Sequence, residues 1–327
     1  MSNNLSIIGA GAWGSALSIA LYDNFDTIYL HTHTQADIKK LKSKHSALSI
    51  PYPYNVKIAY DLYKLQDSKN IIITTPSYAF SEILEKIKPF INHTHKIAWG
   101  TKGFDTTKRC FLYESFKRLF PNRNGCVISG PSFAFEVALN KPTALVVASI
   151  DENTRNHFAK LIQTNTLRTY TNADIIGVEV GGSVKNILAI AAGIASGLKY
   201  GFNTQAALIA RGLSEMSRLG KSLGAKNSTF IGLSGLGDLV LTCSDNLSRN
   251  RRFGQELVNN HNIKNALINV GGTVEGLNTL DLILSIANKK QVEMPICEQV
   301  YQITQGKITP AEAVNYLMSR EQQQNNE

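Results

Sequence analysis

Cysteine is scarce in this 327-residue sequence, and the four present, Cys110, Cys126, Cys243 and Cys297, lie far apart with no CxxC pair. Such spacing supports neither a zinc cluster nor a disulfide framework, so reduced, structural thiols and no metal centre are expected. Also missing is an unbroken apolar run of the roughly 18 residues that a membrane-spanning helix needs. Met1-Ser2-Asn3-Asn4 leads straight into a strand-like segment, without the basic region, long apolar core or small-residue cleavage site of a secretory signal. A cytoplasmic protein without membrane insertion is therefore expected. No repeat of solenoid period and no RRM, KH or zinc-finger signature occurs, which argues against nucleic acid as the partner. Positive charge, by contrast, is in excess, with 34 Lys and Arg against 25 Asp and Glu and a net charge of +9 at pH 7. Nucleic acid, a membrane surface or a phosphorylated metabolite would each answer to that excess, and charge alone does not choose among them. The densest basic cluster, Arg249-Asn250-Arg251-Arg252, is short and unlike a basic tail.

The length fits two domains. Short apolar strands are expected at Leu5–Ile8, Thr27–His31, Ile71–Thr75, Lys96–Trp99, Cys126–Ser129 and Ala144–Ala148, with helices at Ser15–Tyr22, Gln35–Ser43 and Cys110–Leu119. Strands alternating with helices imply a parallel sheet covered on both faces, a doubly wound α/β domain. Past Asp174 the strand signals stop, and helical patterns run over Val178–Leu198, Gln205–Leu223, Asn250–Asn259, Val274–Ala287 and Ile296–Thr304. Gly201, Gly224 and the Gly232–Gly237 region read as punctuation between them. The resulting division is a dinucleotide-binding domain over 1–176, a helical substrate and catalytic domain over 177–318, and a polar, disordered tail over 319–327.

Gly9-x-Gly11-x-x-Gly14 follows a predicted strand and opens a predicted helix. In that setting the glycines permit a tight turn and close approach of backbone to a pyrophosphate, and the helix N-terminus offers free N–H groups to the anion. An NAD-specific site usually has an acid about 20 residues further on for the ribose 2′-hydroxyl. Here Leu30-His31-Thr32-His33 stands at that place and no acid follows until Asp37, so a 2′-phosphate meets no fixed repulsion. His31 is expected to be an ordinary surface residue. The loops Thr75-Pro76-Ser77, Thr101-Lys102-Gly103 and Ser129-Gly130-Pro131-Ser132 follow strands and should face one crevice.

In the second half, Val178 to Gly193 is an apolar, small-residue helix carrying one lysine, Lys185. An ammonium there is costly unless it is paired or functional, and desolvation lowers its pKa toward that of a general base. Snorkelling to water from a helix edge is the competing reading. Gly235-Leu236-Gly237-Asp238 puts a carboxylate in a glycine-rich turn, and Ser248-Arg249-Asn250 supplies a hydroxyl, a guanidinium and an amide suited to a phosphate.

Taken together, Gly9 to Gly14, Thr101-Lys-Gly103, Ser129 to Ala134, Gly181-Gly-Ser-Val-Lys-Asn186, Gly235 to Cys243, Ser248 to Gly254 and Val274-Glu-Gly276 resemble bacterial NAD(P)-dependent glycerol-3-phosphate dehydrogenase. The motifs stand in the family's order. The resemblance implies a Rossmann-like domain followed by an all-α domain of the 6-phosphogluconate-dehydrogenase type, assembled as a cytoplasmic homodimer. It also implies interconversion of dihydroxyacetone phosphate and sn-glycerol 3-phosphate with NADP(H) or NAD(H), supplying the glycerophospholipid backbone. By position it makes Lys185 the proton acceptor and a substrate contact, and puts Lys102, Gly130, Ser132, Asp238, Ser248, Arg249 and Asn250 on the substrate. The cofactor would meet Gly9, Gly11, Ala12, Trp13, Gly14, His33, Lys102, Ala134, Arg249, Thr273 and Glu275. Ala12 stands where many members carry serine, and His33 where arginine is frequent. Asp238 is expected to orient or balance Lys185. Another two-domain hydroxy-acid dehydrogenase, and a catalytically silent dinucleotide-binding regulator, are the alternatives left by the residues themselves.

Overall fold

A computed structural model of the chain describes residues 3–41, 44–45, 47–259 and 263–319. Its contacts fall into two compact units, Met1–Gly182 with Leu223–Asp238, and Ser183–Ser222 with Leu239–Glu327.

The first unit begins β1 (Asn4–Ile8), α1 (Ala12–Ala20), β2 (Thr27–His31), α2 (Gln35–Leu41), β3 (Val56–Ala59) and β4 (Asn70–Ile73). It continues α3 (Phe80–Ile87), β5 (Lys96–Trp99), the antiparallel pair β6 (Phe104–Asp105) and β7 (Cys110–Phe111), α4 (Leu112–Leu119) and β8 (Gly125–Ser129). Then come α5 (Ala134–Ala138), β9 (Thr143–Ala148), α6 (Glu152–Ile162) and β10 (Leu167–Asn172). Eight strands form one Rossmann-like sheet in the order β10-β9-β8-β5-β4-β1-β2-β3. Along β4 the side chains alternate, with Ile72 in the core on one face and Ile71 and Ile73 in the core on the other. Ala98 against Ile97 and Trp99 on β5 repeats the pattern, which is why both strands are continuously apolar after their first residue.

Several expectations are corrected. β8 and β9 pair antiparallel, so the sheet is not parallel throughout; the link between them holds only the five-residue α5. The edge strands β3 and β10 escaped notice because one face of each is open, with patterns such as Leu-Arg-Thr-Tyr-Thr-Asn that mix polar and apolar residues. Cys110 and Phe111 belong to β7 and not to a helix; α4 starts at Leu112, where Glu114 accepts a hydrogen bond from the Phe111 N–H at 3.0 Å. His31 is not a surface residue. It is 1% exposed on the interior strand β2, and burial pushes its imidazole down to about 4, so it is neutral at physiological pH.

Helices make up the remainder: α7 (Ile175–Gly197), α8 (Phe202–Ser222), α9 (Asn227–Phe230), a π turn over Leu233–Gly237, α10 (Asp238–Ser244), α11 (Arg249–Asn259), α12 (Ile263–Val270), α13 (Glu275–Lys289), α14 (Pro295–Thr304) and α15 (Pro310–Ser319). The helix α7 is continuous across the division between the units. By length and composition it could cross a membrane, yet 94% of its most apolar window is buried inside the protein, as in a core helix. Residues 223–238 associate with the first unit because Asp174 Oδ2 accepts from the Lys226 N–H at 2.8 Å and from Thr229 Oγ1 at 2.7 Å. In the second unit α7 and α11 cross with backbones in contact: a Cβ on Gly193 or on Gly254 would overlap a carbonyl of the other helix. Ser319 ends α15, and the rest of the expected tail lies outside the described residues. All four cysteines are buried and none forms a disulfide.

Candidate active site

The strand order reverses at β1 and β4, the place where an open α/β sheet binds ligands beyond its strand carboxyl ends. Gly9 follows β1 with φ +115°, and a Cβ there would come within 2.9 Å of Thr74 just past β4. Gly14 lies so close beneath Gly9 O that no side chain fits, whereas Gly11 faces open space. At the start of α1, Gly11 supplies no side-chain cap and the first turn has no acidic residue. The free N–H groups of Ala12, Trp13 and Gly14 thus stand over an uncrowded cradle, and these residues fit a dinucleotide pyrophosphate. Ala12 and Trp13 are half-buried, as is Ala134 at the start of α5. His33, beyond the end of β2, is exposed. Asp37, the nearest following acid, is engaged in capping α2: its Oδ2 accepts from the Thr34 N–H at 3.2 Å while its own N–H donates to Thr34 Oγ1 at 3.2 Å.

Beyond β5 and β8, still in the first unit, four of the expected substrate residues converge. Lys102 Nζ donates to Asp238 Oδ2 at 2.7 Å and to the Gly130 carbonyl at 3.2 Å. Ser132 Oγ donates to the same carbonyl at 3.0 Å and accepts from Trp13 Nε1 at 3.4 Å. Lys102, Gly130, Ser132, Asp238 and Trp13 are thus one hydrogen-bonded group. Asp238 is not in a glycine-rich turn, as the sequence suggested, but is the first residue of α10; the glycines before it form the π turn. π geometry of this kind is frequent at functional sites.

In the second unit Lys185 is 6% exposed, so it does not snorkel from a helix edge. Its Nζ donates to Thr242 Oγ1, itself buried, at 2.8 Å. One residue on, Asn186 Oδ1 accepts from Asn250 Nδ2 at 3.0 Å, and Asn250 Oδ1 accepts from the Gly276 N–H at 2.9 Å. Ser248 caps α11, its Oγ accepting from the Arg251 N–H at 3.2 Å. Arg249 is exposed in the first turn of that helix, with its guanidinium against the positive-φ turn Gly271-Gly272 that precedes Thr273 and Glu275. A guanidinium beside a helix N-terminus that has no acidic residue in its first turn is suited to an anion.

Two family models for NAD-dependent glycerol-3-phosphate dehydrogenase match, the N-terminal one over residues 4–155 and the C-terminal one over 174–315. The chain belongs to the NAD-dependent glycerol-3-phosphate dehydrogenase family. The glycerol-3-phosphate dehydrogenase [NAD(P)+] of Ruthia magnifica is 82% identical over 98% of this chain and 99% of its own length. That of Legionella pneumophila strain Philadelphia 1 is 45% identical, over 97% of each. The crystal structure of glycerol-3-phosphate dehydrogenase from Coxiella burnetii matches with a TM-score of 0.91 at 40% identity, covering 98% of this chain and 99% of that one.

For a dehydrogenase of this family, sequence reasoning passed over two residues. Thr242 and Asn186 lie inside motifs already singled out, but only Asp238 and Lys185 were read from those motifs. The available signal was helical spacing: Thr242 is four residues after Asp238 on α10, on the same face.

Proposed function

We propose that this chain interconverts dihydroxyacetone phosphate and sn-glycerol 3-phosphate with NADP(H) or NAD(H), supplying the glycerophospholipid backbone. The observation that carries the reading is Lys185, an ammonium 6% exposed in an apolar helix and held at 2.8 Å by the Thr242 hydroxyl. Burial strips an ammonium of hydration and so favours its neutral form, which suits a group that exchanges a proton with a ligand.

When bound, the nicotinamide supplies or accepts the hydride at C2 of the substrate. Lys185, as ammonium, gives its proton to the alkoxide forming at C2; in the opposite direction the neutral amine takes the C2 hydroxyl proton. Its charge also stabilises the oxygen as charge develops there. Thr242 fixes the direction of the Lys185 side chain, and Asn186 with Asn250 sets the start of α11. Ser248, Arg249 and Asn250 hold the phosphate at the N-terminus of α11, which fixes the reacting carbon through remote binding energy. Lys102, Gly130, Ser132 and Asp238 make further contacts with the three-carbon substrate. On the cofactor, Gly9, Gly11, Ala12, Trp13 and Gly14 take the pyrophosphate, His33 the adenosine ribose, and Lys102, Ala134, Arg249, Thr273 and Glu275 complete its contacts. The first unit is thus the dinucleotide-binding domain and the second carries the proton donor. We further propose a cytoplasmic homodimer, a reading supported by family membership.

The test is NADPH and NADH oxidation, followed at the near-ultraviolet absorbance of the reduced nicotinamide, with dihydroxyacetone phosphate present. Lys185→Ala should lower kcat by at least ~10²-fold, the scale of a positioned acid or base, while NADPH affinity is nearly unchanged. A folded variant that retains most of its turnover would rule out the assignment.

A further inference from the structure

Ser129, the last residue of β8, is 2% exposed, and its Oγ has no hydrogen-bond partner in the protein. Burying a hydroxyl in this way forfeits its hydrogen bonds to water without replacing them, which is uncommon in a native fold unless a ligand completes the set. The surroundings show where such a ligand would reach. A Cβ built on Gly182 would lie 3.5 Å from Ser129 Oγ and 3.7 Å from Lys102 Cγ, so the bare Gly182 Cα leaves a gap about one carbon wide in front of both side chains. Two neighbouring donors have partners within the protein, Lys102 Nζ donating to Asp238 and Gly130 O and Ser132 Oγ donating to Gly130 O, whereas Ser129 Oγ has none.

We propose that Ser129 is a substrate-binding residue whose Oγ hydrogen-bonds the terminal hydroxyl of dihydroxyacetone phosphate, and so selects a substrate that carries one. The chemistry of the two groups decides the partner. A serine hydroxyl both donates and accepts, which matches another hydroxyl, whereas the C2 ketone only accepts and is served by Lys185, and the phosphate is met by Arg249. A site built to bond a hydroxyl disfavours the analogue lacking it, because the buried serine is then left unpaired. This inference rests on the substrate proposed above.

The experiment compares wild type with Ser129→Ala on dihydroxyacetone phosphate, and measures inhibition of the same reaction by hydroxyacetone phosphate, which lacks the terminal hydroxyl. The variant should show kcat/KM for dihydroxyacetone phosphate lowered about tenfold, the scale of one hydrogen bond in a buried site, with the inhibition constant of hydroxyacetone phosphate and the affinity for NADPH unchanged. Its melting temperature without ligands should be equal to or above that of wild type, since no hydrogen bond within the protein is lost. Ser129→Cys, which keeps the shape but donates weakly, should fall between. An equal loss for both compounds, or a lowered melting temperature with unaltered kcat/KM, would overturn the assignment and mark Ser129 as structural. Absence of wild-type turnover of dihydroxyacetone phosphate would overturn the substrate reading as well.

Discussion

Lys102 and Asp238, 136 positions apart in sequence, form an ion pair at 2.7 Å in which the carboxylate is 1% exposed and the ammonium side chain 20% exposed. The pair ties the loop after β5 to the first turn of α10, and its charges are mostly shielded from water. Removing one member of such a pair strands the other, so the cost exceeds that of losing a surface contact.

Lys102→Ala and Asp238→Asn should each be destabilising, and the double variant should be less destabilised than the sum. Denaturant unfolding of the four proteins should give a coupling of about 1–3 kcal/mol for groups in direct contact. Additive effects would show that the pair contributes nothing beyond its separate members.

Arg249→Ala should cost on the order of 2–4 kcal/mol in kcat/KM for the phosphorylated substrate, the scale of charge-assisted hydrogen bonds to an anion. Unphosphorylated dihydroxyacetone, however poor a substrate, should be much less affected. Steady-state kinetics with both compounds checks this, and an equal proportional loss would mean that Arg249 does not read phosphate.

The cofactor should be accepted in both forms, with NADPH favoured, because Asp37 is occupied in capping α2 and no other acid stands just beyond β2. His33 is exposed, so its contribution is modest. His33→Ala should reduce the NADPH to NADH ratio of kcat/KM by about two- to fivefold, as for an exposed electrostatic contact, and His33→Glu should reduce it further. Strong selectivity of the wild type for NADH would contradict the reading.

Burial raises the Glu179 carboxyl to about 8 against Trp99 Nε1 and the Tyr113 N–H, and Glu215, which receives the Ile296 N–H, to about 7. Both acids hold a proton in the folded chain at a pH where the unfolded chain has lost it. Their stabilising effect is therefore complete below the ordinary glutamate range and is lost as pH rises, through about 8 for Glu179 and about 7 for Glu215. Melting temperatures should fall over that window, and Glu179→Gln, neutral at every pH, should flatten the decline. A slope unchanged in the variant would exclude Glu179 as its source.

Local signals were enough for much of this protein. The run Ile71-Ile72-Ile73, apolar at every position, announced a strand buried on both faces, and Gly9-x-Gly11-x-x-Gly14 announced the strand, turn and helix in which it lies. Those features are legible because period, turn chemistry and steric need act between residues close in sequence. Lys185 stood out for the same reason, as the one lysine in a predominantly apolar helix.

What the sequence could not decide depended on residues brought together from far apart. The edge strands β3 and β10 have open faces and carry no continuous apolar run, so only pairing with β2 and β9 identifies them. His31 is buried because β2 is enclosed by β1 and β3, a fact about neighbours and not about histidine. Likewise nothing near Lys102 in the chain announces Asp238, and nothing near Ser129 announces that its hydroxyl is left without a partner opposite the bare carbon of Gly182. Sequence set the residue types available for the chemistry; the tertiary fold alone decided which of them met, because burial and hydrogen bonding depend on proximity in space.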